Sequence, residues 1–242
     1  MDAIFGEFGE QEIVDNPYFK AHIIVAKCNG FVRSENKLIQ GMGLAKSYLN
    51  NRINRPRLNS QYERFIFQSS NSDLTLNDPD KISTTHIPFS KVNIRNALLA
   101  SGSIPMVMKG ISNIEDSPKG MYRDGGIVDY HFDFEIKNSG LTLYPHFSST
   151  LKAGWFDKSL TRKVRLQHYD NTVLLCPSEK FIASLPHGKV PDRNDFISMD
   201  REQRMSYWKI VMDESEKLAE SFKDLYENQD TSRIKNINQL LA

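Results

Sequence analysis

The sequence predicts an α/β fold. Three observations carry the prediction. Short β-branched apolar runs recur at residues 21–28, 64–68 and 172–176, and helically spaced stretches separate and follow them. Helices and strands that alternate along a chain pack as layers around a sheet. A composition of 39% hydrophobic and 25% charged residues in 242 suits a globular chain with a sizeable core.

Residues 2–6 read as the last turn of a helix, and an acidic, glycine-containing loop leads from there to Asn16-Pro17. Residues 21–28 form the first strand, continuous enough in apolar side chains to be buried. Residues 38–48 are loosely helical, weakened by Gly41 and Gly43. The Asn- and Arg-rich residues 50–59 read as a solvated connector. Residues 64–68 are the next strand, and residues 69–85, rich in Ser, Asn, Asp and Thr, are expected to make a surface excursion, because these side chains compete for backbone hydrogen bonds.

Ser90 is placed to cap a helix through Val92, Ile94, Ala97, Leu98 and Ala100, closed by Gly102 and Pro105. Met106-Val107-Met108 and residues 120–123 read as extended pieces, and residues 141–144 and 172–176 as strands. Past Pro191 an amphipathic helix opens with Asp200 and Gln203 spaced as a capping box. Its stripe of Trp208, Val211, Met212, Ser215, Leu218, Ala219, Phe222, Leu225 and Tyr226 is expected to pack on the sheet. Residues 1–228 then form one domain and residues 229–242 a polar tail.

The formal charge of +1 supplies no field that would draw the chain to nucleic acid. Cys28 and Cys176 both lie in apolar runs and read as buried, reduced thiols. The six histidines are scattered, with no zinc-ligand spacing. No signal-peptide pattern and no membrane-length apolar run occurs, which places the chain in the cytoplasm as an expectation.

The chemistry is expected between Asn96 and Asp129. A small-residue helix ends in Ala100-Ser101-Gly102-Ser103-Ile104-Pro105, and about twenty residues on a short run stops at Tyr122-Arg123-Asp124-Gly125-Gly126. Gly125 and Gly126 can take positive φ, so the chain can reverse there and leave the Asp124 carboxylate facing open space at a strand end.

These residues resemble the second half of patatin-like phospholipases, lipid acyl hydrolases with a serine and aspartate dyad. The resemblance implies a three-layer fold with a mostly parallel central sheet, incomplete here at its N-terminal side. It makes Asp124 the dyad acid, with Gly125, Gly126, Ser101 and Ser103 shaping the site. It implies a lipid or acyl ester substrate, peripheral membrane contact, and neither metal nor cofactor. The family's Gly-x-Ser-x-Gly elbow and glycine-rich oxyanion loop do not occur in the sequence.

Ser101 and Ser103 lack the flanking glycines of a strained elbow and read as packing and capping residues. Asp129 and Asp133 read as turn or salt-bridge carboxylates, and a metal pair of Asp124 with Asp129 lacks a spaced third ligand. Arg123 is left open between a neighbouring carboxylate and a lipid headgroup. The chain is thus expected to carry the aspartate half of a lipid acyl hydrolase and to be inactive alone. The alternative is a non-catalytic remnant or interaction module that binds lipid or a protein, and a metal-dependent hydrolase ranks below both. Without the nucleophile strand, apolar strand edges and inner helix faces are expected at the surface.

Overall fold

A computed structural model describes residues 5–137, 140–237 and 239, so the helical turn read over residues 2–6 lies outside the described residues as far as Ile4. The chain gathers into two compact units, Met1–Ser139 with Leu151–His168, and Gly140–Thr150 with Tyr169–Ala242. The span 1–228 read as one domain crosses both.

The first unit begins with α1 (Gly9–Val14) and β1 (His22–Cys28). α2 (Lys37–Ile53) is capped by Asn36, whose side-chain oxygen accepts from the backbone N–H groups of Leu38 and Ile39. Gly43 is required here, because a Cβ would lie 2.7 Å from the backbone nitrogen of Val32. A 3-10 turn follows at Arg55–Ser60. Residues 50–59 are therefore not a solvated connector: Asn51, Arg55 and Leu58 are buried. Their polar groups find partners inside, Asn51 donating to Asp157 at 2.7 Å and Arg55 Nε to Asp80 at 2.8 Å.

β2 (Tyr62–Gln68), β3 (Leu76–Asn77) and β4 (Thr84–Pro88) follow. The excursion over residues 69–85 is only partly at the surface, since Ser69, Asp80 and Ile82 are buried. α3 (Ile94–Ser101) starts later than expected. Ser90 shapes the preceding turn instead, its carbonyl accepting from Asn93 and Ile94, and Val92 is left exposed. Residues 106–108 are a turn rather than an extended piece, with Met106 at φ 67° and the Met108 N–H donating to Ile104 at 2.9 Å. β5 (Ile111–Ser112), β6 (Met121–Asp124) and β7 (Glu135–Ile136) complete the unit's strands.

The main sheet has the order β4-β2-β1-β6-β5. It is mixed, not mostly parallel: β2/β4 is parallel, whereas β1/β2, β1/β6 and β5/β6 are antiparallel. The cause is local. The chain returns through α2 and its 3-10 turn to the end of β1 it has just left, where Asn29 N–H donates to Gln61 at 2.8 Å. β2 must then run back along β1.

Alternation along the strands divides the core in two. Val25, Phe65, Phe67 and Tyr122 pack one face against Ile94, Ala97 and Ala100 of α3. Ala26, Cys28 and Tyr62 pack the other against Val32, Leu58 and Phe156. Phe65 meets Tyr122 edge-on, with centroids 5.3 Å apart, a geometry worth about 0.5–1.5 kcal/mol beyond its burial.

The second unit pairs β8 (Thr142–Pro145) with β9 (Thr172–Leu175) in parallel, followed by α4 (Glu179–Ser184), α5 (Asp195–Ser198) and α6 (Arg201–Asn228). The reciprocal cap of α6 forms as its sequence indicates, Asp200 accepting from Gln203 N–H and Gln203 from Asp200 N–H. Its apolar stripe is only partly covered: Trp208, Val211, Leu218, Phe222 and Leu225 are half-buried, whereas Met212, Ala219 and Tyr226 are exposed. Within this unit the helix is held at both ends: near its C-terminus Arg233 donates to Asp224 at 2.8 Å and to Ser221 at 2.7 Å, and further contacts lie at its N-terminal end. Tyr207 donates to the Lys189 carbonyl at 2.6 Å, and Trp208 meets Phe196 edge-on.

Cys176 is exposed, contrary to the sequence reading, because its short parallel pair is covered only in part. Cys28 is buried, and burial pushes its thiol up to about 12. A maleimide is expected to label one thiol, Cys176, in the native chain and two in denaturant, read by intact mass. Native double labelling would contradict the burial of Cys28. No helix among the described residues is long and apolar enough to cross a membrane.

Candidate active site

Asp124 ends β6, opposite Val25 of β1. Strand pairing therefore fixes its backbone, and a tight turn fixes its carboxylate: Gly126 N–H donates to Oδ1 at 2.7 Å, and a 3-10 turn runs over Gly125–Ile127. The two glycines serve differently from the expectation. Neither has positive φ. At Gly125 a Cβ would lie 2.4 Å from the carbonyl oxygen of Ile24, so the missing side chain allows the turn to lie against β1. At Gly126 a Cβ would stand 3.0 Å from Asp124 Oδ1 and crowd the carboxylate. Gly125→Ala is expected to cost roughly 1–3 kcal/mol or more in a urea melt, because the clash is with backbone. An unchanged midpoint would show that the turn can move away from β1.

The carboxylate is half-buried and lines a cavity of about 310 Å³. Much of the wall is apolar: Ile24, Leu74, Leu76, Phe132, Phe134 and Ile136. β3 and β7 build part of it, with Leu76 registered against Ile136. Burial raises the Asp124 pKa above the ordinary carboxylate value, opposed by the Gly126 N–H and by the charge of Lys158. Lys158 itself sits over the Tyr130 ring, 3.9 Å from its centroid. His22 also lines the cavity, its Nε2 2.6 Å from Ser72 Oγ and its pKa lowered by burial.

The serines are close in chain and in space, but their hydroxyls point elsewhere. Ser101 lines the cavity, yet its hydroxyl donates to the Leu98 carbonyl at 2.8 Å. Ser103 is buried, donates to Leu99 at 2.8 Å, and accepts the Asp124 N–H through its own carbonyl at 3.3 Å. Both thus make the back-bonds common for serine in a helix end.

The neighbouring carboxylates are structural. Asp129 is buried and takes a two-pronged bond from Arg64, Nε to Oδ2 and NH2 to Oδ1, both 2.6 Å. Asp133 is buried against Arg165 and His168, each at 3.0 Å. Arg123 pairs with Glu35 at 2.7 Å and donates to the Met108 carbonyl at 3.0 Å. Among the described residues no group of three or more His, Cys, Asp or Glu side chains could hold a metal ion.

Sequence reasoning missed the apolar wall and Lys158. The wall had a signal: Phe132, Phe134 and Ile136 alternate at strand period, as do Leu74 and Leu76. Lys158 has no sequence signal, because its charge acts on Asp124 from a segment 34 positions further along the chain. The fold and site define the class: a mixed α/β protein with a desolvated carboxylate facing an apolar cavity. No family model, no curated protein and no solved structure matches the chain.

Proposed function

We propose that this chain carries the aspartate half of a patatin-like lipid acyl hydrolase, in which a serine from a Gly-x-Ser-x-Gly elbow completes the dyad. One observation supports the reading above the others. Asp124 is a fixed, partly dry carboxylate beside a largely apolar cavity of about 310 Å³. A carboxylate is a weak base in water, and burial with restricted geometry makes it a better one toward a hydroxyl. The nucleophile attacks the ester carbonyl, Asp124 takes its proton, and that proton passes to the leaving alcohol. Water then releases the acyl group by the reverse transfer. In this reading the mixed sheet is the later part of a three-layer patatin-like sheet, whose parallel strands come with the elbow.

The chain alone lacks that nucleophile, since the hydroxyls of Ser101 and Ser103 are committed to helix carbonyls. This favours, for the isolated chain, the second reading as a non-catalytic module. Intact-mass detection of fluorophosphonate labelling separates the two, using this chain and a version extended upstream in its reading frame. Labelling of the extended form alone, lost when its elbow serine is replaced, supports the hydrolase. Absence of labelling in both supports the module.

A further inference from the structure

α2 turns an unusual share of its apolar side chains outward. The residues it buries are polar or small, Gln40, Gly43, Ser47 and Asn51, with Leu44 and Tyr48 half-buried beside them against the core. Its outward face carries Leu38, Met42, Leu49 and Ile53, which are 82%, 57%, 57% and 64% exposed. At 3.6 residues per turn these four fall within about 60° of arc. A contiguous apolar helix face of this kind is unusual on a free surface and marks a contact.

The charges around it say which contact. Lys46 and Arg52 border the stripe on its two sides by the same helical spacing, and both are exposed. From residue 30 to residue 60 the exposed cations are Arg33, Lys37, Lys46, Arg52 and Arg57, while the one acid is Glu35. Glu35 is already held by Arg123 at 2.7 Å. The chain as a whole is nearly neutral at +1, so this helix concentrates positive charge that is balanced elsewhere. An apolar stripe flanked by Lys and Arg suits the boundary between acyl chains and anionic headgroups.

We infer that α2 is a docking surface for an anionic lipid bilayer. The helix lies in the interface, with Leu38, Met42, Leu49 and Ile53 inserted among the acyl chains and Lys46 and Arg52 at headgroup level. The inference does not depend on Asp124 or on hydrolysis.

Vesicle co-sedimentation of the full chain tests it without turnover, comparing phosphatidylcholine alone with phosphatidylcholine containing phosphatidylserine. Binding is expected to be at least about tenfold tighter to the anionic vesicles and to weaken with added salt. Met42→Asp with Leu49→Asp should abolish it, and Lys46→Glu with Arg52→Glu should remove the preference for anionic lipid. These positions are exposed, and circular dichroism checks that the variants stay folded. Equal binding to both vesicles, or none to either, overturns the inference. So does a dimer that Met42→Asp with Leu49→Asp splits while vesicles go unbound, which would assign the face to a second copy.

Discussion

Arg64→Met is expected to destabilise the chain by about 3–5 kcal/mol, the usual cost of breaking a buried ion pair from one side. Arg64 is 1% exposed, and its guanidinium meets Asp129 twice at 2.6 Å, Asp78 at 2.9 Å and Thr84 at 2.9 Å. Burial opposes its charge, but Asp129 and Asp78 outweigh that and hold it protonated. Removing the cation leaves Asp129 in a buried site with the more distant Arg55 guanidinium, 3.6 Å away, to balance it. Urea unfolding followed by circular dichroism measures the loss. Arg64→Met with Asp129→Leu should recover much of it, because a buried pair costs both partners their hydration and an apolar pair does not. A loss below about 1 kcal/mol in the single variant, the size expected of an exposed pair, would show that water reaches this site.

Asp124→Asn is expected to act in opposite directions on stability and on chemistry. The folded pKa of Asp124 lies above its ordinary value, so the folded state holds the proton more tightly than the unfolded one. Stability therefore falls as pH rises from the unfolded pKa through the folded one, and at neutral pH the ionised group is a burden. Asparagine removes that burden and still accepts from Gly126 N–H. The variant should unfold at a higher urea concentration than the parent near neutral pH, with the difference shrinking at pH values below the ordinary carboxylate pKa. In a chain that includes the elbow, the same change should slow fluorophosphonate labelling by roughly 100- to 10,000-fold, the usual range for a general base. A variant less stable at neutral pH would mean that the carboxylate is stabilising where it stands. That result would argue against a group held under strain for catalysis.

Much of the local structure was legible because its signals are local. β1, β2 and β9 follow from apolar runs, α2 from spacing, and the start of α6 from Asp200 and Gln203. The turn after Asp124 was also visible, although its glycines are needed for closeness to β1 and not for positive φ. What could not be read was set by partners distant in sequence. Arg55 and Asn51 look like loop residues until Asp157, more than 100 positions later, is brought to them. The direction of β2 depends on the return path through α2, and strand propensity carries no direction. The outward apolar face of α2 was not read at all, because helical spacing shows that a face exists and not which way it points.

The Arg55 cluster has a consequence for the order in which the chain can fold. Arg55 pairs with Asp80 and Asp157, and Arg165 pairs with Asp80 and Asp133. The two segments that hold these charges are separated by residues 140–150, which belong to the other unit. During synthesis the sheet strands through β6 exist well before Asp157 and Arg165 emerge. Until then Arg55, Asp80 and Asp133 lack these partners, and burying them early would strand charge in a dry interior. Completion of this buried charge cluster requires residues 151–168, so it is expected as a late step, taken after most of the chain has been made.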